Sequence, residues 1–279
     1  MPATLSATRS IAIEPMAGGF GAMLRGLDLD HIDAGLGEAL NDALDRHAVL
    51  FYRPEAGQAV ANEQIVALAE AMGEVIVYPY SRGENYADPR LGKIDTDREA
   101  VNRFGTSLWH TDGTPEQCPP KAAMLSPVVL PDHGGDTMWA DMVAAYEALS
   151  PSVRRFLDGL EALHSTEVAV RRSGEAEVYG KGAECVHPVV LTDPASGRRM
   201  LYVNAHYTQR IIGLSESESA TVLRMLYEHA NTPEFHIRWQ WRLHDLVIWE
   251  ERLTQHRVCA NFDGPRVLRR VAIKGDRPR

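Results

Sequence analysis

Residues 235–241 read Phe-His-Ile-Arg-Trp-Gln-Trp, and this strict alternation constrains the fold more than any other stretch. Successive strand side chains point to opposite faces, so Phe235, Ile237, Trp239 and Trp241 would share one apolar face, which a second layer must cover. Further runs suit strands: 10–13, the continuous apolar "VLFY" (49–52), "MLYV" (200–203) after the turn-forming "DPASGRR", "LVIW" (246–249) after a turn at His244–Asp245, and "RRVAI" (269–273). Most of them lack the regular intervening helices of a parallel α/β sheet. The expected fold is therefore mainly β with flanking helices, an antiparallel sandwich.

The helices are expected as scaffold. Leu36, Leu40, Leu44 and His47 recur at helical spacing, with His47 as a packed or helix-terminal residue. Asn62 is the expected N-cap of a helix burying Ile65, Leu68, Ala69 and Met72 and ending at Gly73. Ser150 and Pro151 open another, with Val153, Phe156, Leu157 and Leu160 as its stripe. Ser215 and Glu218 form a capping box ahead of Val222, Met225 and Leu226.

Composition narrows the function. The chain has 279 residues, 44% hydrophobic and 24% charged, enough to bury a core without disulfides. No linker or repeat divides it, so residues 1–279 are expected to be one domain. A net charge of -9 gives no footprint for nucleic acid or an anionic membrane. Cys118, Cys185 and Cys259 are sparse and show no CxxC spacing, which suggests reduced thiols and a cytoplasmic setting. No signal peptide or spanning segment is evident.

Eleven histidines leave a short list of chemical candidates. His31, His133 and His244 sit beside aspartate in loop-like surroundings and are read as solvated, while His164 and His229 are read as helix-stripe residues with structural roles. His187 precedes a proline, His236 lies on the polar side of the alternating strand, and His206 is compatible with a cavity without requiring one. His110 and Asp112 remain, in "LWHTDGTPE", with His256 in "WEERLTQHRV". On a strand, residues two apart face the same way, so His110 and Asp112 would converge on one point. Two histidines and one carboxylate can occupy one face of an octahedral Fe(II) and leave three positions open. The HxD triplet alone is a weak signal, and taken by itself it is read first as an ordinary hydrogen-bonded pair.

The surrounding text decides between them. "LWHTDGTPEQCPPKAAML", "PDHGGDTMWADMVAAYEALSP", "HDLVIWEERLTQH" and "PRVLRRVAIKGDRP", in that order, resemble the taurine dioxygenase family of Fe(II)/2-oxoglutarate-dependent oxygenases. The likeness extends to "IEPMAGGFGAMLRGLDL" and "HPVVLTDPASGRRMLYVN". It implies a double-stranded β-helix (jelly roll), an enzyme using Fe(II), 2-oxoglutarate and O2, and iron ligands His110, Asp112 and His256. It further implies that Thr137 and Arg266 meet the distal carboxylate of 2-oxoglutarate. A guanidinium suits that role because its fork gives two parallel hydrogen bonds to one carboxylate. Arg270, four residues on and on the same strand face, would meet an anionic group of the substrate, while Arg269 would point the other way as a structural or solvent-facing residue.

The departures bear on substrate. The positions where taurine-specific members carry histidine, tyrosine and asparagine fall near Tyr78, near Ser81 and at Thr106, so taurine itself is not expected. Tyr78, Tyr80, Arg82, Thr106 and Ser107 are candidates to line a different pocket. The family's "WDNR" is here Trp249-Glu250-Glu251-Arg252, and the two glutamates either face the metal or face solvent. The polar stretch 165–186 is a candidate lid. The resemblance points to hydroxylation of a C–H bond in a small anionic molecule (alkyl sulfate, sulfonate or aryloxyalkanoate), giving succinate and CO2. A tailoring oxygenase acting on an amino-acid derivative and a non-catalytic metal-binding jelly roll are the alternatives. Association into a dimer or tetramer is left open.

Overall fold

The computed structural model describes residues 11–16, 19–55, 58–77, 87–97, 99–100, 105–173, 182–194 and 196–279. A seven-stranded sheet forms its base, in the order β1 (Ala12–Pro15), β2 (Ala22–Arg25), β3 (Val49–Tyr52), β13 (Leu246–Glu250), β5 (Ala122–Val129), β15 (Arg266–Ile273) and β4 (Gly92–Thr96). All its pairs are antiparallel except β2 with β3, which run parallel. The expected antiparallel sandwich is therefore a mixed one. The parallel pair arises because helix α1 (Ala34–His47) carries the chain back between the two strands.

One face of this sheet is covered by α1 and α2 (Asn62–Met72). Leu40, Leu44, Ile65 and Leu68 meet Leu50, Met124, Ile248 and Val271 there. Full burial of each such side chain contributes about 1.5–3 kcal/mol. The opposite face meets a three-stranded sheet of β12 (His236–Trp239), β6 (Thr137–Asp141) and β14 (Thr254–Val258). Trp139, Trp239 and Trp241 interlock there with Phe51, Val247, Trp249 and Leu268. Phe51 stacks on Trp239 at 4.6 Å and meets Trp139 edge-on at 5.6 Å. With apolar layers on both sides, β13 is buried at every position, which explains why "LVIW" does not alternate.

A further sheet joins β11 (Thr208–Ile211), β7 (Glu161–Ser165) and β8 (Glu184–Pro188), and β9 (Val190–Thr192) pairs with β10 (Arg199–Leu201). The helices α3 (Met142–Glu147), α4 (Pro151–Leu157), α5 (Thr166–Ser173) and α6 (Glu216–Ala230) complete the chain, and α3, α4 and α6 contribute to a separate apolar cluster.

Several local expectations shift. Residues 1–10 lie outside the described residues, and the first strand is Ala12–Pro15 rather than 10–13. Ala61, not Asn62, caps α2; its N–H donates to the Gln64 side chain, and Asn62 accepts a bond from Arg269 instead. The helix opened by Ser150 stops at Leu157, so Phe156 stays exposed and Leu160 lies beyond it; Met225 of α6 is exposed as well. The strand at 235–241 covers only His236–Trp239, with Phe235 in a short 3-10 turn. His164 is fully buried on β7, not on a helix. Ser215 and Glu218 do form the capping box. Of the 165–186 stretch, residues 166–173 are helical, β8 begins at Glu184, and 174–181 lie outside the described residues. The three cysteines are free thiols, and among the described residues no helix is long and apolar enough to cross a membrane.

Candidate metal centre and cosubstrate pocket

His110 and His256 are joined through their backbones: His110 N–H donates to His256 C=O at 3.0 Å, and His256 N–H to His110 C=O at 2.7 Å. This doubly hydrogen-bonded pairing sets both side chains on one face, with ring centroids 4.2 Å apart. His110 is a single bridge residue, however, and Asp112 lies in the turn that follows, so the HxD pair is not on a strand as expected. Asp112 nonetheless reaches both histidines, and the chain turns sharply directly after it at Gly113, where φ is +66°. A Cβ at Gly113 would lie 2.8 Å from Pro120 Cδ, so this turn requires glycine on two counts.

One donor atom from each of His110, Asp112 and His256 lies within 4.8 Å of the others. His110 Nε2 is 3.7 Å from Asp112 Oδ1, and His256 Nε2 is 3.7 Å from Asp112 Oδ2. Burial is the main influence lowering both imidazole pKa values, that of His256 to about 3, so both rings are neutral at pH 7. Burial pushes Asp112 up, but Arg270, with His256 and His110 behind it, overrides burial and holds the carboxyl well below its usual range. Two neutral imidazole nitrogens and one carboxylate are the donor set that a ferrous ion accepts, and the residues present fit that ion.

The cosubstrate candidates also meet. Arg266 is 2% exposed; its Nε donates to Gly135 C=O at 2.8 Å and its Nη2 to Thr137 Oγ1 at 3.1 Å. Gly135 has φ +68°, and a Cβ there would sit 3.2 Å from Arg266 Cδ. Burial lowers the Arg266 pKa to about 10, leaving it protonated at pH 7. Among the described residues no carboxylate forms an ion pair with it; the neighbouring Asp136 is bound to Arg238 at 2.6 Å. Thr137 Oγ1 accepts a second bond from Trp241 Nε1 at 3.0 Å.

Arg270 stands on the same strand and donates from Nη2 to Asp112 Oδ2 at 2.7 Å. Arg269 faces the other way but is buried, bonded to Val60 C=O, Asn62 and Ser126, so it is structural and not solvent-facing. Thr106 is half-buried beside β14, its carbonyl accepting from Val258 N–H at 2.9 Å. Tyr78, Tyr80, Ser81 and Arg82 lie outside the described residues. Both glutamates of the WEER segment are buried: Glu250 binds Arg252, and Glu251 accepts a bond from the Asp112 backbone N–H at 3.1 Å. The solvent-facing option is thereby removed. Burial and the neighbouring Asp112 raise the Glu251 pKa well above the usual carboxylate value.

Sequence reasoning left His206 undecided. It is 2% exposed, and its ring centroid is 5.3 Å from that of His110. Asn204 positions it by accepting from the His206 backbone N–H at 3.1 Å, a local turn that the "NAH" triplet signals only weakly.

Comparison with known proteins agrees with this geometry. The model of the taurine catabolism dioxygenase TauD, TfdA family matches residues 12–272. An alpha-ketoglutarate-dependent sulfate ester dioxygenase of Pseudomonas putida is 34% identical, over 99% of this chain and 93% of that protein. An alpha-ketoglutarate-dependent 2,4-dichlorophenoxyacetate dioxygenase of a Burkholderia species is 31% identical over 86% of each chain. Among solved structures, a taurine dioxygenase from Burkholderia xenovorans superposes with a TM-score of 0.81 at 32% identity, covering 96% of this chain and 92% of that one. AAD-2, solved with Mn(II) and N-oxalylglycine, gives 0.80 at 30% identity, covering 96% and 99%. Matched in sequence and shape over almost its full length, the chain belongs to the taurine catabolism dioxygenase TauD, TfdA family and has that family's jelly-roll fold.

Proposed function

We propose that the protein is an Fe(II)- and 2-oxoglutarate-dependent dioxygenase that hydroxylates a C–H bond of a small anionic organic molecule. The substrate classes are alkyl sulfates, sulfonates and aryloxyalkanoates, and the co-products are succinate and CO2. Relatives named for sulfate esters and for 2,4-dichlorophenoxyacetate support the class, since both substrates are small anions. The observation that carries the reading is the placement of two arginines on one strand. Arg270 lies against the His110–Asp112–His256 cluster, and Arg266 is buried without a carboxylate partner among the described residues.

Ferrous iron, when bound by His110, Asp112 and His256, supplies the coupling of O2 reduction to oxidative decarboxylation of 2-oxoglutarate and to substrate oxidation. The chain's own residues bind and orient. Arg266 presents a desolvated cation to the distal carboxylate of 2-oxoglutarate. Thr137, already accepting two bonds, has its own O–H proton left to donate to the same group. Burial magnifies such charged hydrogen bonds, each contributing about 1.5–3 kcal/mol. Arg270 binds the substrate's anionic group and so fixes which carbon faces the metal centre. Thr106 would border that group. Free thiols at all three cysteines suit a reducing cytoplasm.

The test is succinate release across a panel of sulfate esters, sulfonates, aryloxy acids and amino-acid derivatives. We expect turnover with the first three classes, and its loss in His110→Ala and Asp112→Ala proteins that remain folded. Succinate production undiminished in both variants would refute the assignment.

A further inference from the structure

Metal-binding histidines need their second nitrogen held, because the hydrogen bond there fixes which nitrogen keeps its lone pair. His110 solves this with its own backbone: Nδ1 lies 2.8 Å from Leu108 C=O, an oxygen that only accepts, so Nδ1 carries the proton and Nε2 is left for the metal. His256 has no such carbonyl. Its Nδ1 is buried with no partner within hydrogen-bond distance, and the acidic group beside it is Glu251, whose Oε2 is 3.9 Å away.

Glu251 is itself fully buried. Its Oε2 accepts the Asp112 N–H, while its Oε1 has no partner within hydrogen-bond distance. The indole of Trp249 neighbours the same carboxyl, packs 5.0 Å from the His256 ring, and likewise finds no acceptor for Nε1. One buried N–H donor, one unpartnered imidazole nitrogen and one under-used buried carboxyl thus collect behind the metal-facing side of His256. Leaving them apart is costly, and a shift of about 1 Å brings Nδ1 and the carboxyl to an ordinary hydrogen-bond length.

We propose that Glu251 is a positioning residue of the metal centre: by holding the Asp112 backbone and accepting from His256 Nδ1–H, it presents two of the three ligands. The inference deepens the proposed function and rests on its assignment of the triad as the metal site. The residue stands in the turn directly after β13, two positions beyond Trp249, whose indole packs against the same His256 ring.

The experiment has two readouts, neither of them turnover. The first is the tautomer of His256 in the metal-free wild-type protein, read from imidazole nitrogen chemical shifts. We expect the proton on Nδ1; a proton on Nε2 overturns the proposal whatever the variants do. The second is Mn(II) affinity, measured anaerobically alongside Fe(II), for wild type, Glu251→Gln and Glu251→Met. Removing the acceptor in Glu251→Met should weaken metal binding about ten- to a hundred-fold. Its metal-free melting temperature should change little, since the Asp112 N–H loses its acceptor while a buried acid is replaced by an apolar chain of similar size. Glu251→Gln keeps an acceptor oxygen and should lose less affinity than Glu251→Met while retaining the Nδ1–H tautomer. Equal affinity in all three proteins overturns the proposal. A wild-type chain that binds neither metal refutes the proposed function instead, and the tautomer measurement still judges Glu251.

Discussion

Arg266 and Arg270 stand four residues apart on one strand, yet their surroundings treat the positive charge in opposite ways. Arg266 is buried among neutral oxygens, the Gly135 carbonyl and the Thr137 hydroxyl, and has no carboxylate partner among the described residues. Arg270 is slightly more open and is matched to Asp112 at 2.7 Å. A buried cation held by neutral acceptors is a costly arrangement that an incoming carboxylate relieves. A cation already paired with a triad carboxylate must instead share itself between that group and a ligand. The difference teaches that the two ends of the pocket are built for different partners: a constant dicarboxylate at Arg266 and a variable anion at Arg270.

The largest effect should come from Arg266→Met. Loss of two charged hydrogen bonds, at about 1.5 kcal/mol or more each, corresponds to roughly a hundred-fold or greater rise in the 2-oxoglutarate Kd. The metal-free melting temperature should hold steady or rise, because the removed charge had no opposite partner. A clear destabilisation with unchanged 2-oxoglutarate binding would show that Arg266 is a structural cation and would erase the contrast.

Arg270→Ala should behave in the reverse sense. We expect the KM for an anionic substrate to rise about ten-fold or more, from loss of one charged contact, with the 2-oxoglutarate Kd altered much less. The metal-free protein should lose stability, since Asp112 is left without its cation. The sign with pH follows from the depressed Asp112 pKa. Its stabilising contribution is complete above the unfolded carboxyl pKa of about 4 and is lost as pH falls through the lower folded value. The gap between wild type and variant should therefore be full at pH 7 and narrow below about pH 4, as measured by denaturant unfolding. A greater loss for 2-oxoglutarate than for substrate would move Arg270 to the cosubstrate end.

Much of this pocket was legible before any coordinates, and its gaps have physical causes. Residue type put His110, Asp112 and His256 forward as a set that fits an open iron face, and the family motifs around them decided the reading. The convergence of His110 and Asp112 was read from strand periodicity, whereas Asp112 lies in a turn and His256 is brought in by backbone pairing with His110, a contact between distant segments. The direction of Glu251 was not readable because no local pattern says which face of β13 meets the metal centre; it lies two residues after Trp249, beside the same His256 ring. His164 looked helical beside the apolar run before it, yet it pairs across β7 with Cys185 and Thr208, a register that no local pattern encodes. Asn62 had the right chemistry for a cap but binds the buried Arg269, so a long-range need displaced a local preference. The Arg266 pocket was legible only through family resemblance, since its Gly135 carbonyl and Trp241 indole carry no sequence signal of their own.

The smallest effect, and the finest test of the contrast, should come from Thr137→Val. The hydroxyl accepts from both Arg266 Nη2 and Trp241 Nε1, so its loss leaves two buried donors short of an acceptor and should cost stability of about 1–3 kcal/mol. Binding of 2-oxoglutarate should weaken only several-fold, because its carboxylate can take up the N–H that Arg266 no longer shares with Thr137. Because binding is the weaker in Thr137→Val, saturating 2-oxoglutarate should raise its melting temperature slightly less than it raises that of wild type, the shortfall reporting the several-fold loss of affinity. Thr137→Ser should restore both properties, since it keeps the oxygen and gives up only a methyl group. The KM for the anionic substrate should not move in either variant. If it moved in parallel with 2-oxoglutarate affinity, the two arginines would be responding as one anion site, and the division between a fixed and a variable end of the pocket would fail.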